Sequence, residues 1–265
     1  MDKLEKALQK ARHQRSAPPS GFVPIDPKHL APPVKPTDDS TPGFVPPSTK
    51  TANETLLERH RIVAHRTRSA EADAFRFLRT QVLQMMAQSG YKTLAITSPN
   101  YGDGKTTIAL NLAISIVLDL KQTVLLVDLD LRKPKLHEFA GVNPAAGLTD
   151  HLIKGTPLSE CIIRLDFDRL SLLPAGEALD HSSEFLGAPR MATLAQELKT
   201  RYPDRLVIYD MPPVLTQDDP IAFMPHVDAA LLVVREDVTK TTEISRCLET
   251  LSNANILGTV LNDSF

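Results

Sequence analysis

The chain has 265 residues, of which 42% are hydrophobic, enough for one α/β domain of about 200 residues plus an extension. Its net charge of −2 points to no particular partner, and no nucleic-acid partner is expected. Cys161 and Cys247 lie far apart in apolar stretches, which excludes a disulfide framework or a cysteine metal site and fits core positions in a reducing compartment. No stretch reaches the roughly 18 apolar residues of a membrane span, because Asn111, Ser115 and Asp119 interrupt the run from Ile108 to Leu120. The charged start MDKLEKALQKARHQR holds no apolar signal core.

In chain order, Leu4, Ala7, Leu8 and Ala11 recur at helical spacing among Lys3, Lys6, Lys10 and Arg12, so residues 2–14 read as a short basic helix. Its narrow apolar stripe is compatible with weak rest on an anionic membrane, docking on a partner, or a solvated helix. Ten of the 21 prolines fall between Pro18 and Pro47, and residues 16–55 read as a disordered Pro-rich linker. GFVP occurs twice there, at Gly21 to Pro24 and Gly43 to Pro46. The folded domain is expected over 56–265. It opens with a basic run (Arg59, Arg61, Arg66, Arg68) and a helix from the N-cap Ser69 to Gln88, with Phe75, Leu78, Val82 and Met85 as its buried stripe.

Next come an apolar strand (Lys92 to Thr97), the stretch SPNYGDGKTT (Ser98 to Thr107) and an apolar helix to Leu120. Strand, glycine-rich loop and helix in that order form a phosphate-binding unit. Gly102 and Gly104 let the backbone curl so that its N–H groups, with those of Asn100, Tyr101, Asp103 and Thr107, aim at phosphate oxygens. Lys105 reaches the outer phosphates as an exposed loop cation whose removal costs no core contact, and Thr106 supplies a hydroxyl to Mg²⁺. The strict loop signature has Gly where this chain has Pro99.

Further apolar runs are TVLLVD (Thr123 to Asp128), LVIYD (Leu206 to Asp210), AALLVVR (Ala229 to Arg235) and LGTVLN (Leu257 to Asn262), with helices expected over Ser182 to Lys199 and Lys240 to Ala254. Continuous apolar strands alternating with helices predict an α/β fold, a mostly parallel sheet with helices on both faces. In such a sheet the strand C-termini share one edge, so Asp128, Asp130 and Asp210 converge on Lys105 and Thr106 as a metal-phosphate site.

These segments resemble the bacterial tyrosine kinases, a family of P-loop NTPase fold within the MinD/ParA-like proteins that serves exopolysaccharide export. The resemblance covers residues 66–263: the loop, VLLVDLDLRKP, LVIYDMPPVL, LSLLPAG at Leu170 to Gly176, SEFL at Ser183 to Leu186, and AEADAFRFLRTQV at Ala70 to Val82. It implies that Lys105 and the loop hold ATP, and that Thr106, Asp128 and Asp210 hold Mg²⁺. Asp128 and Asp130 then activate the attacking hydroxyl, Asp128 first. Arg132 steadies the phosphates or the loop, and Asn262 reads adenine. Asp73, Arg76 and Arg79 stand for the family's Glu-x-x-Arg-x-x-Arg, through which subunits join into rings. The resemblance further implies a peripheral position at the inner face of the cell membrane, beside a separate membrane chain-length regulator or co-polymerase.

Tyr101 and Asp103 replace the Pro and Glu common in the family's loop. Family kinases usually end in a tyrosine cluster, whereas this chain ends Asn-Asp-Ser-Phe265 and its tyrosines are Tyr91, Tyr101, Tyr202 and Tyr209. The acceptor is then one of these four or another protein. An ATP-hydrolysing or non-catalytic assembly switch is the alternative. A ParA/MinD-like positioning ATPase fits less well, since a second loop lysine is replaced by Asn100.

Overall fold

The computed structural model describes residues 49–119 and 122–263. The expected N-terminal helix, almost all of the Pro-rich linker and both GFVP segments lie outside them. In chain order the elements are β1 (Thr49–Lys50), α1 (Glu54–Arg59), α2 (Ala70–Ser89), β2 (Thr93–Thr97), α3 (Lys105–Val117), β3 (Thr123–Asp128) and α4 (Leu136–Phe139). There follow α5 (Leu158–Cys161), β4 (Ile163–Leu165), β5 (Leu170–Leu173), α6 (Ser182–Leu186), α7 (Pro189–Thr200), β6 (Arg205–Asp210), α8 (Asp219–Phe223), β7 (Ala229–Arg235), α9 (Thr241–Thr250) and β8 (Ile256–Asn262).

Among the described residues the strands form one sheet in the order β1-β4-β5-β3-β6-β2-β7-β8. Every neighbouring pair is parallel except β4 with β5. The central strands β2, β3 and β6 are apolar and almost wholly buried because helices cover both faces. Alternate residues serve opposite layers, as the period of two requires. Leu94, Ile96, Val124, Leu126, Leu206 and Ile208 meet the layer that includes Val82, Met86 and α3. Ala95, Leu125, Val127, Val207 and Tyr209 meet the layer that includes Leu194, Phe223 and Cys247. Burying each such Leu, Ile or Val side chain contributes roughly 1.5–3 kcal/mol. Both cysteines are buried and free.

Several expectations are corrected. In α2 the buried residues are Ala72, Val82 and Met86, while Met85 is exposed. Met86 lies four residues after Val82, and the following position carries the stripe better than the third on a 3.6-residue period. Ser69 does cap α2, its hydroxyl accepting from the Ala72 N–H at 3.0 Å. The single helix expected over Ser182 to Lys199 is two, α6 and α7, separated by Gly187 and Ala188. Pro189 cannot donate into a preceding turn and instead opens α7 at its first position. Thr49–Lys50, assigned from sequence to the linker, pairs with β4 at the sheet edge.

A buried asparagine ties the entry loop to the phosphate-loop helix. Asn111 Oδ1 accepts from Val63 N and Ala64 N at 2.7 and 2.9 Å, while Nδ2 donates to Arg61 O and Thr107 O at 3.0 and 2.9 Å. Both of its amide groups are thus satisfied, which removes the cost of burying them. Arg79 adds a second tie from α2, donating to Ser115 O of α3 at 2.9 Å.

Candidate active site

The loop between β2 and α3 curls through Gly102 and Gly104, at φ 87° and 94°. Gly104 caps α3 without a side-chain hydrogen bond, so the first amides of this helix and its positive dipole end face the loop's concavity. A Cβ at Gly104 would lie 2.0 Å from Asn262 Nδ2, so glycine is required there by contact as well as by φ. Asp103 braces the loop from inside. Its Oδ2 accepts from Asn100 N at 2.8 Å, its Oδ1 from Thr239 Oγ1 at 3.2 Å, and its carbonyl from Asn262 Nδ2 at 2.9 Å. Asn100 donates through Nδ2 to Glu243 Oε1 of α9 at 3.0 Å.

Asp128 and Asp210 lie opposite each other at the C-terminal ends of β3 and β6, with Asp130 two residues beyond β3. Lys105 Nζ reaches Asp130 Oδ2 at 3.1 Å. Only 9% of Lys105 is exposed, which corrects its expected standing as an exposed loop cation. Burial lowers the pKa of its ammonium, but the Asp210 and Asp130 carboxylates outweigh that and hold it above the ordinary lysine value. It is the counter-charge of the acidic cluster.

The three acids differ in what they have left to offer. Asp128 is fully buried, accepting from Asp130 N at Oδ1 and from Leu136 N at Oδ2, both at 3.1 Å. Burial and the facing Asp210 push its pKa well above the ordinary carboxylate value. Burial also raises Asp210, to about 6, against the pull of Lys105 and the Thr106 hydroxyl. Asp210 Oδ1 has no hydrogen-bond partner among the described residues. An orphaned carboxylate oxygen beside a buried hydroxyl fits a hard cation that prefers oxygen ligands. Among the described residues no three His, Cys, Asp or Glu side chains form a complete cage, so such a cation would share phosphate and water oxygens.

Of the other expected site residues, Arg132 is turned away from the loop and Tyr101 toward it. Arg132 Nε donates to Ser182 Oγ at 2.9 Å, and its guanidinium reaches Asp218 and Asp219 at 3.0 and 3.5 Å. It is held at α6 and the start of α8. Tyr101 lies over the acidic cluster, its ring centroid 4.4 Å from Lys133 Nζ and 5.9 Å from Lys105 Nζ. Its hydroxyl accepts from Gln217 Nε2, and the same nitrogen lies 3.5 Å from Asp130 Oδ1. Gln217, Thr239 and Glu243 are site residues that the sequence reading missed. Gln217 alone carried a usable signal, standing in the polar run TQDD that follows Asp210-Met-Pro-Pro after Val214 and Leu215.

On the other side of the loop a groove of about 900 Å³ is lined by Gly102, Gly104, Thr107, Ile108, Phe139 and Asn262, among others. The acids do not line it. It is of a size that takes a small organic ligand and brings Asn262 and Thr107 to one surface. At α2, Arg76 pairs with Asp73 and donates to Arg66 O at 2.9 Å, while the carbonyl of Ser115 engages Arg79 as described.

Residues 91–255 match the family model described as AAA domain. The chain is 29% identical to the tyrosine-protein kinase YwqD of Bacillus subtilis over 208 residues, 78% of this chain and 86% of that protein. It is 34% identical to the succinoglycan biosynthesis transport protein ExoP of Rhizobium meliloti over 208 residues, 76% of this chain but only 26% of that protein. The kinase domain of the Escherichia coli tyrosine kinase ETK superposes with a TM-score of 0.68 at 28% identity, covering 83% of this chain and 91% of that one. The cell division ATPase MinD of Pyrococcus furiosus also superposes, with a TM-score of 0.55 at 28% identity over 64% of this chain and 71% of that one. The chain belongs to the AAA-domain family and, within it, to the P-loop domains of MinD-like fold that include the bacterial tyrosine-protein kinases.

Proposed function

We propose that this protein transfers the γ-phosphoryl group of ATP to protein tyrosine and regulates polysaccharide polymerisation and export with a separate membrane co-polymerase. The observation that carries the reading is the Lys105–Asp130 pair, set between an uncapped helix N-terminus and the orphaned Asp210 carboxylate. Phosphoryl transfer asks mainly for placement and charge neutralisation, and this edge of the sheet supplies both. The loop amides and Lys105 hold the phosphates, while Thr106 and Asp210 are the residues that would hold Mg²⁺, which when bound neutralises charge on the phosphate oxygens. Asp130 is favoured over Asp128 for accepting the proton of the attacking hydroxyl. Asp128 spends both oxygens on backbone amides, whereas Asp130, which accepts one backbone amide, from Lys133 N at 3.2 Å, turns its other oxygen to Lys105. Asn262 and the adjoining groove suit the nucleoside half. The names of YwqD and ExoP support the kinase and polysaccharide parts of the proposal.

The test is incubation of the purified protein with labelled ATP and Mg²⁺, with and without the cytoplasmic tail of the co-polymerase, using a random Glu/Tyr copolymer as acceptor. Phosphotyrosine and free phosphate are counted separately. Phosphotyrosine on the polymer supports the kinase; free phosphate alone would leave an ATP-hydrolysing switch.

Self-association through α2 is part of the same proposal. Arg76→Ala is expected to lower oligomer mass in light scattering, since the side chain is 37% exposed and its exposed ion pair with Asp73 contributes at most about 1 kcal/mol to the monomer. Arg76→Ala also gives up the bonds to Arg66 O and Thr67 O of the entry loop, whereas Arg79→Ala removes a more buried side chain that ties α2 to Ser115 of α3. Unchanged mass for Arg76→Ala would leave the Asp73–Arg76 pair as surface structure.

A further inference from the structure

We propose that Tyr101, the tyrosine of the phosphate loop, is itself a phosphoryl acceptor of this site, with Gln217 as the positioning residue for its hydroxyl; the inference rests on the kinase reading above. Topology singles it out among the four tyrosines. Tyr91 and Tyr202 precede β2 and β6, and in a parallel sheet the starts of these strands lie at the edge opposite the loop, roughly 15–20 Å away for strands of this length. Tyr202 is further held under Arg205, 3.9 Å from the ring centroid. Tyr209 is fully buried against Phe223, the ring centroids 4.9 Å apart. Tyr101 alone is exposed at the catalytic edge, at 38%, since Tyr209, next to Asp210, turns its ring into the core.

Its surroundings are those an acceptor phenol requires. Gln217 Nε2 donates to the Tyr101 oxygen and approaches Asp130 Oδ1 at 3.5 Å. Asp130 Oδ2 in turn meets Lys105 Nζ at 3.1 Å. By donating to both oxygens this amide holds the phenol beside the carboxylate that would receive its proton, and Lys105 and Lys133 flank the ring with positive charge. Since the phenol oxygen accepts from Gln217, its own O–H remains available to donate. Gln217 Oε1, buried, has no partner among the described residues and is open to that proton or to a second donor.

The step balances within the proposed activity. The phenol oxygen forms a bond to the γ-phosphorus of ATP, and the bond from that phosphorus to the β–γ bridging oxygen breaks. ADP leaves with the electron pair, and the phenol proton passes to the Asp130 carboxylate. Tyr101 offers a single hydroxyl, so the reaction stops at one phosphate per chain.

The full chain incubated with γ-labelled ATP and Mg²⁺, then digested and mapped by tandem mass spectrometry, should carry its phosphate on Tyr101. The first-order rate constant should not change over a tenfold range of protein concentration, because loop and acceptor belong to one chain. A variant with both Tyr91→Phe and Tyr202→Phe should keep the label, and Tyr101→Phe should bring self-labelling to background. Label mapped to another residue, label surviving Tyr101→Phe, or a rate constant rising with protein concentration overturns the proposal. If the Glu/Tyr copolymer is phosphorylated while Tyr101 is not, this inference alone fails. If neither is phosphorylated while free phosphate accumulates, the kinase reading fails and takes the inference with it.

Discussion

Lys105→Ala is expected to abolish ATP binding and, in the same protein, to destabilise the fold by about 3–5 kcal/mol at neutral pH, the usual cost of removing one partner of a buried ion pair. The ammonium is buried, and Asp130, Asp210 and Asp128 all act on it. Without it the carboxylates face one another with no compensating charge, and each must either take up a proton or repel its neighbours. The two losses separate by pH. Asp128 and Asp210, both already raised by burial, hold their protons to still higher pH without Lys105, so the instability should be full near pH 8 and should shrink toward pH 4, where these two are neutral. ATP binding should stay absent throughout. A companion variant, Lys105→Ala with Asp130→Asn, should recover part of the stability and none of the binding. Denaturant titrations at pH 4, 6 and 8 with a nucleotide-binding assay on the folded protein make the comparison. Retained ATP affinity in Lys105→Ala would remove the basis of the nucleotide site, and unchanged stability would show that the acids do not depend on this lysine.

That dual role could not be read from the sequence, and the reason is geometric. Apolar runs ending in acid made β2, β3 and β6 legible, and the parallel topology carried Asp128 and Asp210 to the loop's edge without any knowledge of side-chain packing. How deep Lys105 sits depends on how closely the chain after β3 folds over it, which no local spacing encodes. Gln217 and Tyr101 meet across 116 positions, and Thr239 and Glu243 brace the loop from beyond β7. Such contacts leave no periodicity behind them. The elements missed have a similar cause. β1 is two exposed residues, and β4 alternates over only three, too short a run for the pattern by which strands are recognised. The break between α6 and α7 was signalled by Gly187 and Pro189, and a helix drawn through them set apolar spacing above the backbone restriction of proline.

Asp210→Asn is expected to raise the stability of the nucleotide-free protein while removing its response to Mg²⁺ and ATP. The sign follows from a carboxyl whose pKa is higher in the folded chain than in the unfolded one. Burial lifts Asp210 from 3.8 to about 6, so its favourable contribution is fully present below about pH 3.8 and is lost as pH rises to about 6. Above that the native state carries the whole penalty, about 3 kcal/mol for a rise of this size, and a gain of that order is expected. An asparagine keeps the shape, carries no charge to desolvate, and leaves Lys105 paired with Asp130. The variant should therefore unfold at higher denaturant concentration at pH 7.5, the advantage narrowing between pH 6 and 4 and vanishing near pH 4. In the parent, Mg²⁺ with a non-hydrolysable ATP analogue should offset the same penalty by placing positive charge beside the orphaned oxygen, raising stability by ligand linkage. In Asp210→Asn that increment should be largely gone. Thermal or urea melts of both proteins, with and without the ligand pair at pH 7.5, give the four values needed. A destabilised asparagine variant at pH 7.5 would mean that the Asp210 carboxylate contributes to the nucleotide-free fold, and an undiminished ligand increment would take Asp210 out of the metal-phosphate site.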